Sequence, residues 1–460
     1  MQRIIGLALA TFALSSLSGV PAAAIAKESS WSFDDAPQRS NIDVAALLTA
    51  ARGAPPMICS LAAGSVGNGW GGWADAPYTP LAASSAPLTY SGRDWRALST
   101  EDVQRLFAGL ASDDACVREL SVRLIGTQKA ETVGGELISR LGAADGPTRA
   151  VAALGLGLVE AQTGVDPLIR ALRDAAVEVR ANSAWALGRI ENGRALNPLV
   201  NLFSDDAEKV REAAVAAVGH LESTSAVPAL IRVARQDNSP NVRRVAVWAL
   251  GKMEAREAVP TLVDALGKDS DVRVREMAAW ALGNIEDTRG VSALGNAIRN
   301  DSEDRVRETA VWALGNIGDQ SSVSILDAAT SDRSPSVRGT AAWALGQMDD
   351  NGTRAPAGLL RLLSDENTDT RLKAAWALGQ LEDRNAVGAI RDALKAERND
   401  RVRKALIRAL MKSGETSEST LTELLNSSDP QVREAAVRGL AGAHSFDPWP
   451  WPWPRPRPFP

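Results

Sequence analysis

Apolar residues recur every three to four positions through most of the chain, and the pattern itself returns every thirty-odd residues. Its clearest form is V-R-x-x-A-x-W-A-L-G-x-I, at residues 274–285 and 306–317. Taking the arginine as a marker gives Arg118, Arg149, Arg180, Arg211, Arg243, Arg275, Arg307, Arg338, Arg371, Arg403 and Arg433, spaced by 30 to 33 residues. Such regularity signals an array of repeats rather than separate domains. Each unit also carries an earlier amphipathic stretch, typified by AVPALIRVA at residues 226–234 and AVPTLVDAL at 258–266. Pro167, Pro198, Pro228, Pro260 and Pro356 sit where a first-turn proline costs no hydrogen bond, and Pro240, Pro335 and Pro430 open the second stretch. Both stretches are about ten to fourteen residues long, too short to persist as isolated helices, so each must bury its apolar side on its neighbours. The expected fold is all-α: a right-handed α-solenoid of about eleven two-helix repeats over residues 98–443.

The flanks differ from the array. Residues 1–26 read as a secretory signal, with Arg3 at the start, a mostly apolar run from 4 to 17 and a small-x-small site at 24–26. The run is too short to span a bilayer, so the expectation is an exported chain, periplasmic if the cell is Gram-negative. Residues 27–97 form a Gly/Pro/Ser-rich segment of low order with one short helix expected at 41–52. Gly67, Gly69 and Gly72 match G-x-G-x-x-G, but no strand precedes them and no helix with a downstream acid follows, so a dinucleotide site is not expected. Cys59 and Cys116 are the only cysteines; they either form one disulfide pinning this segment to the first repeat or remain two buried thiols. Residues 444–460 carry proline at every second position from Pro448, which predicts a stiff polyproline strand bearing Trp449, Trp451, Trp453, Arg455 and Arg457.

Charge and composition narrow the function. With 51 basic and 56 acidic residues the net charge is −5, which argues against nucleic acid as a partner. Two histidines in 460 residues leave little for metal sites or His-assisted catalysis, and no catalytic motif is found. No catalytic residue, metal or cofactor is assigned. Aspartates six residues before the marker (Asp174, Asp205, Asp237, Asp269, Asp301, Asp332, Asp365) are expected to cap the second helix and pair with an arginine of the adjacent unit.

The sequences VREMAAWALGNIED and VRETAVWALGNIGD (274–287 and 306–319) resemble HEAT repeats of the phycobilisome-lyase type, over roughly residues 98–442. The resemblance implies an α-solenoid whose second helices line the concave face, more often a scaffold than an enzyme. Bilin lyase subunits and deoxyhypusine hydroxylase are catalytic or catalysis-linked relatives. The hydroxylase type binds iron through His-Glu pairs, which His220-Leu221 and His444-Ser445 do not supply.

Thirteen of the 21 aromatic residues are tryptophan, and six hold one position, five after the marker: Trp185, Trp248, Trp280, Trp312, Trp343 and Trp376. At about 100° per residue the apolar positions −1, +3, +7 and +10 cluster within about 80°, whereas +5 falls nearly opposite. This places the indoles on an outward face beside Arg189, Lys252, Asn284, Asn316, Gln347 and Gln380 at +9, while Arg123, Arg408 and Arg438 replace them in end units. An exposed aromatic row marks an interaction surface; the alternative is that each indole leans on an adjacent repeat and seals the stack. The +8 glycines, Gly126 to Gly379, are expected to permit close helix approach.

Trp at +5 with an amide at +9 resembles the Trp/Asn arrays of armadillo-repeat proteins, which implies that Asn284 and Asn316 bond an extended peptide's backbone while Trp280 and Trp312 clasp its side chains. Gln347 and Gln380 are near substitutes; Arg189 and Lys252 depart from the pattern. Five consecutive indoles would span roughly 40 Å, enough for about twelve extended residues. The expected function is therefore an exported scaffold binding extended protein or peptide segments, with the tail as a possible intramolecular ligand. Alternatives are a membrane-surface adaptor anchored by the tail and a lyase-like enzyme subunit.

Overall fold

In the computed structural model the described residues are 43–53, 98–348, 354–415, 418–428 and 430–440. The chain divides into compact units Met1–Ile42 and Asp43–Pro460. The first lies outside the described residues, as do the signal expected at 1–26, the glycines at 67–72, Cys59 and the tail at 444–460.

The second unit is a stack of eleven helix pairs, without strands among the described residues. The Arg275 repeat shows the plan: a first helix, Val259–Lys268, with Pro260 in its first turn, then Val272–Ile285. Pro240 and Pro335 occupy first positions of second helices, where proline's fixed φ favours the helix and its missing N–H costs nothing. A short 3-10 turn precedes most first helices.

Each second helix packs on its own first helix and on the second helices before and after it. Its middle is therefore buried nearly all round: Val274, Met277, Ala278, Ala279, Ala281, Leu282, Gly283 and Ile285 in Val272–Ile285. Contact between successive second helices is tight enough that a Cβ on Gly283 would stand 2.8 Å from the Ala313 backbone Cα. Successive first helices, such as Val259–Lys268 and Val291–Asn300, touch more sparingly. Packing is thus closer along the row of second helices than along the row of first helices.

The expected N-terminal helix is present as Val44–Ala51, capped by Asp43, whose carboxylate accepts the Ala46 N–H at 2.9 Å. It packs on both helices of the first repeat and buries Val44 completely. The Gly53 N–H donates to Asp114 Oδ2 at 2.7 Å, and Asp114 caps helix Ala115–Ile125. Cys116, in the first turn of that helix, is disulfide-bonded; the chain's other cysteine is Cys59.

Candidate functional site

Two repeated rows run along the second helices. At their N-terminal ends stands a ladder of arginine and carboxylate. Arg149, Arg180, Arg211, Arg243, Arg275, Arg307 and Arg338 each grip an aspartate of the following repeat in a two-pronged bond, Nε to Oδ2 at 2.6–2.8 Å and Nη2 to Oδ1 at 2.8–3.1 Å. Arg371 grips Glu397 the same way. The third guanidinium nitrogen donates to the carbonyl six residues back, as Arg307 Nη1 does to Asp301 O at 3.0 Å. Pairing across repeats thus occurs as the spacing predicts.

The capping expectation needs correction. Asp174 to Asp365 lie two residues before the N-caps and accept the N-cap's own N–H, as Asp174 does from Ala176 at 2.8 Å and Asp332 from Ser334 at 2.8 Å. They shape the turn into the helix, since the orphan N–H groups of the first helical turn lie beyond the carboxylate. The Arg149 bond holds the Asp174 carboxyl below its ordinary value. Burial works to raise that of Asp332, but the bonds from Arg307 and Ser334 and the Arg307 charge outweigh it.

The second row contains the tryptophans, and here the expected outward placement is wrong. Trp185, Trp248 and Trp343 are buried, at 6%, 8% and 3% exposure; Trp280, Trp312 and Trp376 are half-buried. The helical wheel assigns one apolar side, but a second helix in the stack has three helical neighbours, so position +5 meets the preceding repeat. Each indole edge lies over the preceding +8 glycine, where a Cβ would stand 2.6–3.0 Å from Cζ3: Gly157 under Trp185, Gly219 under Trp248, Gly251 under Trp280, Gly283 under Trp312, Gly315 under Trp343 and Gly346 under Trp376. The indoles seal the stack, and glycine at +8 makes room for the ring as well as for the helix. The large apolar residues left exposed among the described residues are Leu47, Leu425 and Val437, at the two ends of the array.

The +9 partners divide into two kinds. Arg189 Cζ stands 5.8 Å from the Trp185 ring centre and its Nη2 bonds Glu160 Oε1 at 2.8 Å. Lys252 Nζ stands 5.6 Å from the Trp248 ring and 2.9 Å from Glu222 Oε1. Asn284 and Asn316 are half-buried, Gln347 is exposed, and Gln380 accepts a bond from Lys412 at 3.1 Å. His220 lies between the two kinds, its ring 5.3 Å from that of Trp248; burial first, then the Lys252 and Arg189 charges, lowers its pKa to about 4.

A further row was not anticipated. Glu160, Glu191, Glu222, Glu254, Glu286 and Glu382 all adopt left-handed backbone conformation, φ 48–53°, just beyond their second helices. Glycine is the usual residue there and a side chain costs roughly 1 kcal/mol; Gly318 and Gly414 take the equivalent place. The recurrence of glutamate eleven residues after the marker was visible in the sequence; its backbone state was not. Position +1 likewise carries Glu212, Arg244, Glu276 and Glu308, all half-buried. Burial pushes the carboxyls of Glu212 and Glu276 up.

No cluster of three or more His, Cys, Asp or Glu with metal-binding geometry is found among the described residues. None of their helices is long and apolar enough to cross a membrane.

No curated protein matches the chain in sequence. Among solved structures, importin beta is similar in fold at 14% identity and TM-score 0.55, over 74% of this chain and 58% of that one. Kap95p, solved with RanGDP, is similar at 15% identity and TM-score 0.52, over 75% and 56%. The chain thus matches little more than half of each importin-type structure. The CpcE–CpcF complex of phycocyanin lyase from Nostoc sp. PCC7120 matches at 24% identity and TM-score 0.32, over 53% of this chain and 93% of that one. The model of HEAT repeats matches residues 134–219, 227–314, 291–363 and 355–441, and that of the PBS lyase HEAT-like repeat matches 210–236. With most of its length covered by those matches and folded as stacked helix pairs, the chain belongs to the HEAT-repeat family.

Proposed function

We propose that the chain is an exported HEAT-repeat scaffold that binds extended protein or peptide segments along the row of its second helices, and that it acts by binding rather than catalysis. The observation that carries this is the residue of exposure on that row: after stacking, Trp280, Trp312 and Trp376 remain half-buried rather than buried. Asn284 and Asn316 stand one helical turn beyond the first two indoles, half-buried, with polar side chains available to a peptide backbone. Importin-type solenoids share the stacked fold, which supports a protein partner in general terms. The disulfide at Cys116 supports an oxidising compartment, in keeping with the leader-like residues 1–26. The Trp/Pro/Arg tail at 444–460 supplies a ligand of the proposed kind within the chain.

Asn316→Ala is the decisive variant, because Trp312 also seals the stack and its loss would cost stability. Fluorescence titration of the purified chain with a synthetic peptide of residues 444–460 should show saturable binding that Asn316→Ala weakens about tenfold, with the unfolding midpoint unchanged. Equal affinity in the two proteins would remove the amide from the site. Co-sedimentation with anionic vesicles in place of peptide binding would favour the membrane-surface alternative.

A further inference from the structure

Repeats that carry both Trp at +5 and a left-handed glutamate in the preceding unit come in two versions. In the Arg180 and Arg243 repeats a cation of the chain itself lies at the Trp185 or Trp248 indole and is held by Glu160 or Glu222. The arrangement uses the attraction of a cation for an aromatic face together with an ion pair. There the indoles are 6% and 8% exposed.

In the Arg275 and Arg307 repeats the same indoles and glutamates recur without the cation. Trp280 follows Glu254, and Trp312 follows Glu286, the glutamates having φ of 48° and 53° against 51° and 49° for Glu160 and Glu222. The backbone therefore holds all four residues in the same left-handed state. Where Arg189 and Lys252 would stand, the chain has Asn284 and Asn316, too short and uncharged to take their place. Glu254 and Glu286 are exposed, and Trp280 and Trp312 half-buried. One turn before each indole stands Glu276 or Glu308, the first paired with Arg305 at 3.7 Å and the second accepting from Thr340 Oγ1 at 3.2 Å. The other repeats do not repeat this combination: Trp343 is buried and follows Gly318, and Gln380 is already bonded to Lys412.

We infer that Glu254 with Trp280 and Glu286 with Trp312 form two adjacent cation sockets, filled by guanidinium or ammonium groups of an extended basic segment of a partner. The inference deepens the binding function proposed above and rests on it. The charge fits, since each socket joins an exposed carboxylate to an indole without a cation of the chain's own. The spacing fits as well: packed second helices stand roughly 9 Å apart, and a polyproline II segment advances about 9 Å in three residues and returns to the same side. The segment selected is therefore one with Arg or Lys at every third position.

The test uses the full chain and two twelve-residue peptides, proline-spaced, with arginine or neutral citrulline at every third position. The arginine peptide should bind at least tenfold more tightly, with affinity falling as salt is raised. The double variant Asn284→Lys/Asn316→Lys should place the chain's own ammonium groups in the sockets, as Lys252 is placed. It should erase the preference for arginine over citrulline and fold at least as stably as the parent. Glu254→Gln/Glu286→Gln should lose the same preference without a change in fold. Equal binding of the two peptides by the parent chain would overturn the sockets while leaving a peptide-binding row intact. Failure of both peptides to bind would overturn sockets and row together.

Discussion

The two ends of the second helices use opposite strategies. At the N-terminal end eight successive junctions, from Arg149–Asp174 to Arg371–Glu397, repeat one geometry with side-chain exposures of 18% or less. At the C-terminal half the scaffold of glycine and indole persists, but its neighbours change from Arg189 and Lys252 to Asn284 and Asn316 and then to Gln347 and Gln380. A junction that only stacks repeats has one best solution. A row that varies while the stacking beneath it stays fixed can differ in what it presents to a partner. The ladder is thus architecture, and the indole row is architecture with a variable edge.

The largest effect should come from breaking the ladder. Arg307 and Asp332 are the best-buried pair, with side chains 4% and 11% exposed, and losing one partner of a buried pair leaves an uncompensated charge. Arg307→Ala should cost about 3–5 kcal/mol. Arg194→Ala removes an ion pair of 3.0 Å whose side chains are both 60% exposed, and should cost under about 0.5 kcal/mol. Because each repeat touches only its neighbours, hydrogen exchange in Asp304–Ile317 and Pro335–Gln347 is the proper reading. Equal effects of the two variants would mean that the ladder contributes no more than a surface pair. The lowered carboxyl of Asp174 adds a pH dependence: its stabilisation is present above the unfolded value near 3.8 and is lost as pH falls through the lower folded value.

Glycine substitutions should next separate the stacking row from the helix outside it. Gly283→Ala would put a Cβ 2.8 Å from the Ala313 Cα and 2.9 Å from the Trp312 ring, so two backbones must part. The expected loss is about 1–3 kcal/mol. Gly267→Ala, in first helix Val259–Lys268, meets nothing within 4 Å and should stabilise by up to about 1 kcal/mol through helix propensity. Thermal unfolding of the two variants should move in opposite directions. A neutral Gly283→Ala would mean that the second helices stand further apart than the close contact requires.

The repeat length, helix pairing, first-turn prolines and Arg–Asp pairing were all legible, because each is a local pattern that recurs at a fixed interval. Trp185 and Trp343 show where the reading failed. A wheel drawn for one helix treats its far side as solvent, whereas Val177–Ile190 and Pro335–Gln347 have helices on three sides. The signal that would have placed the indoles was present in the glycine at +8 of the preceding unit, a gap matched to a ring. The left-handed glutamates illustrate a different limit. Their regular spacing was available, but glutamate gives no hint of positive φ, and the choice is explained only where a cation of the next repeat pairs with it, as Arg189, Lys252 and Lys412 do.

The boundary between the cation-filled and cation-free repeats, where His220 contacts Trp248, can be tested through pH. Its folded pKa of about 4 lies below the ordinary 6.5, so the folded array resists protonation that the unfolded chain accepts. Stability is complete above about pH 6.5, declines as pH falls toward 4, and then levels, by about 1–3 kcal/mol in all. Lys252 and Arg189 reinforce this, while Glu222 opposes it. Glu212, on the same helix, is pushed up by burial and so gains stability over the acidic part of the window. The difference between parent and His220→Gln isolates the imidazole: urea midpoints should converge as pH falls from 7 to 4.5, the variant losing less. Parallel curves would show the imidazole to be solvated and Lys252 to stand away from it, and would remove the pattern from which the empty sockets are read.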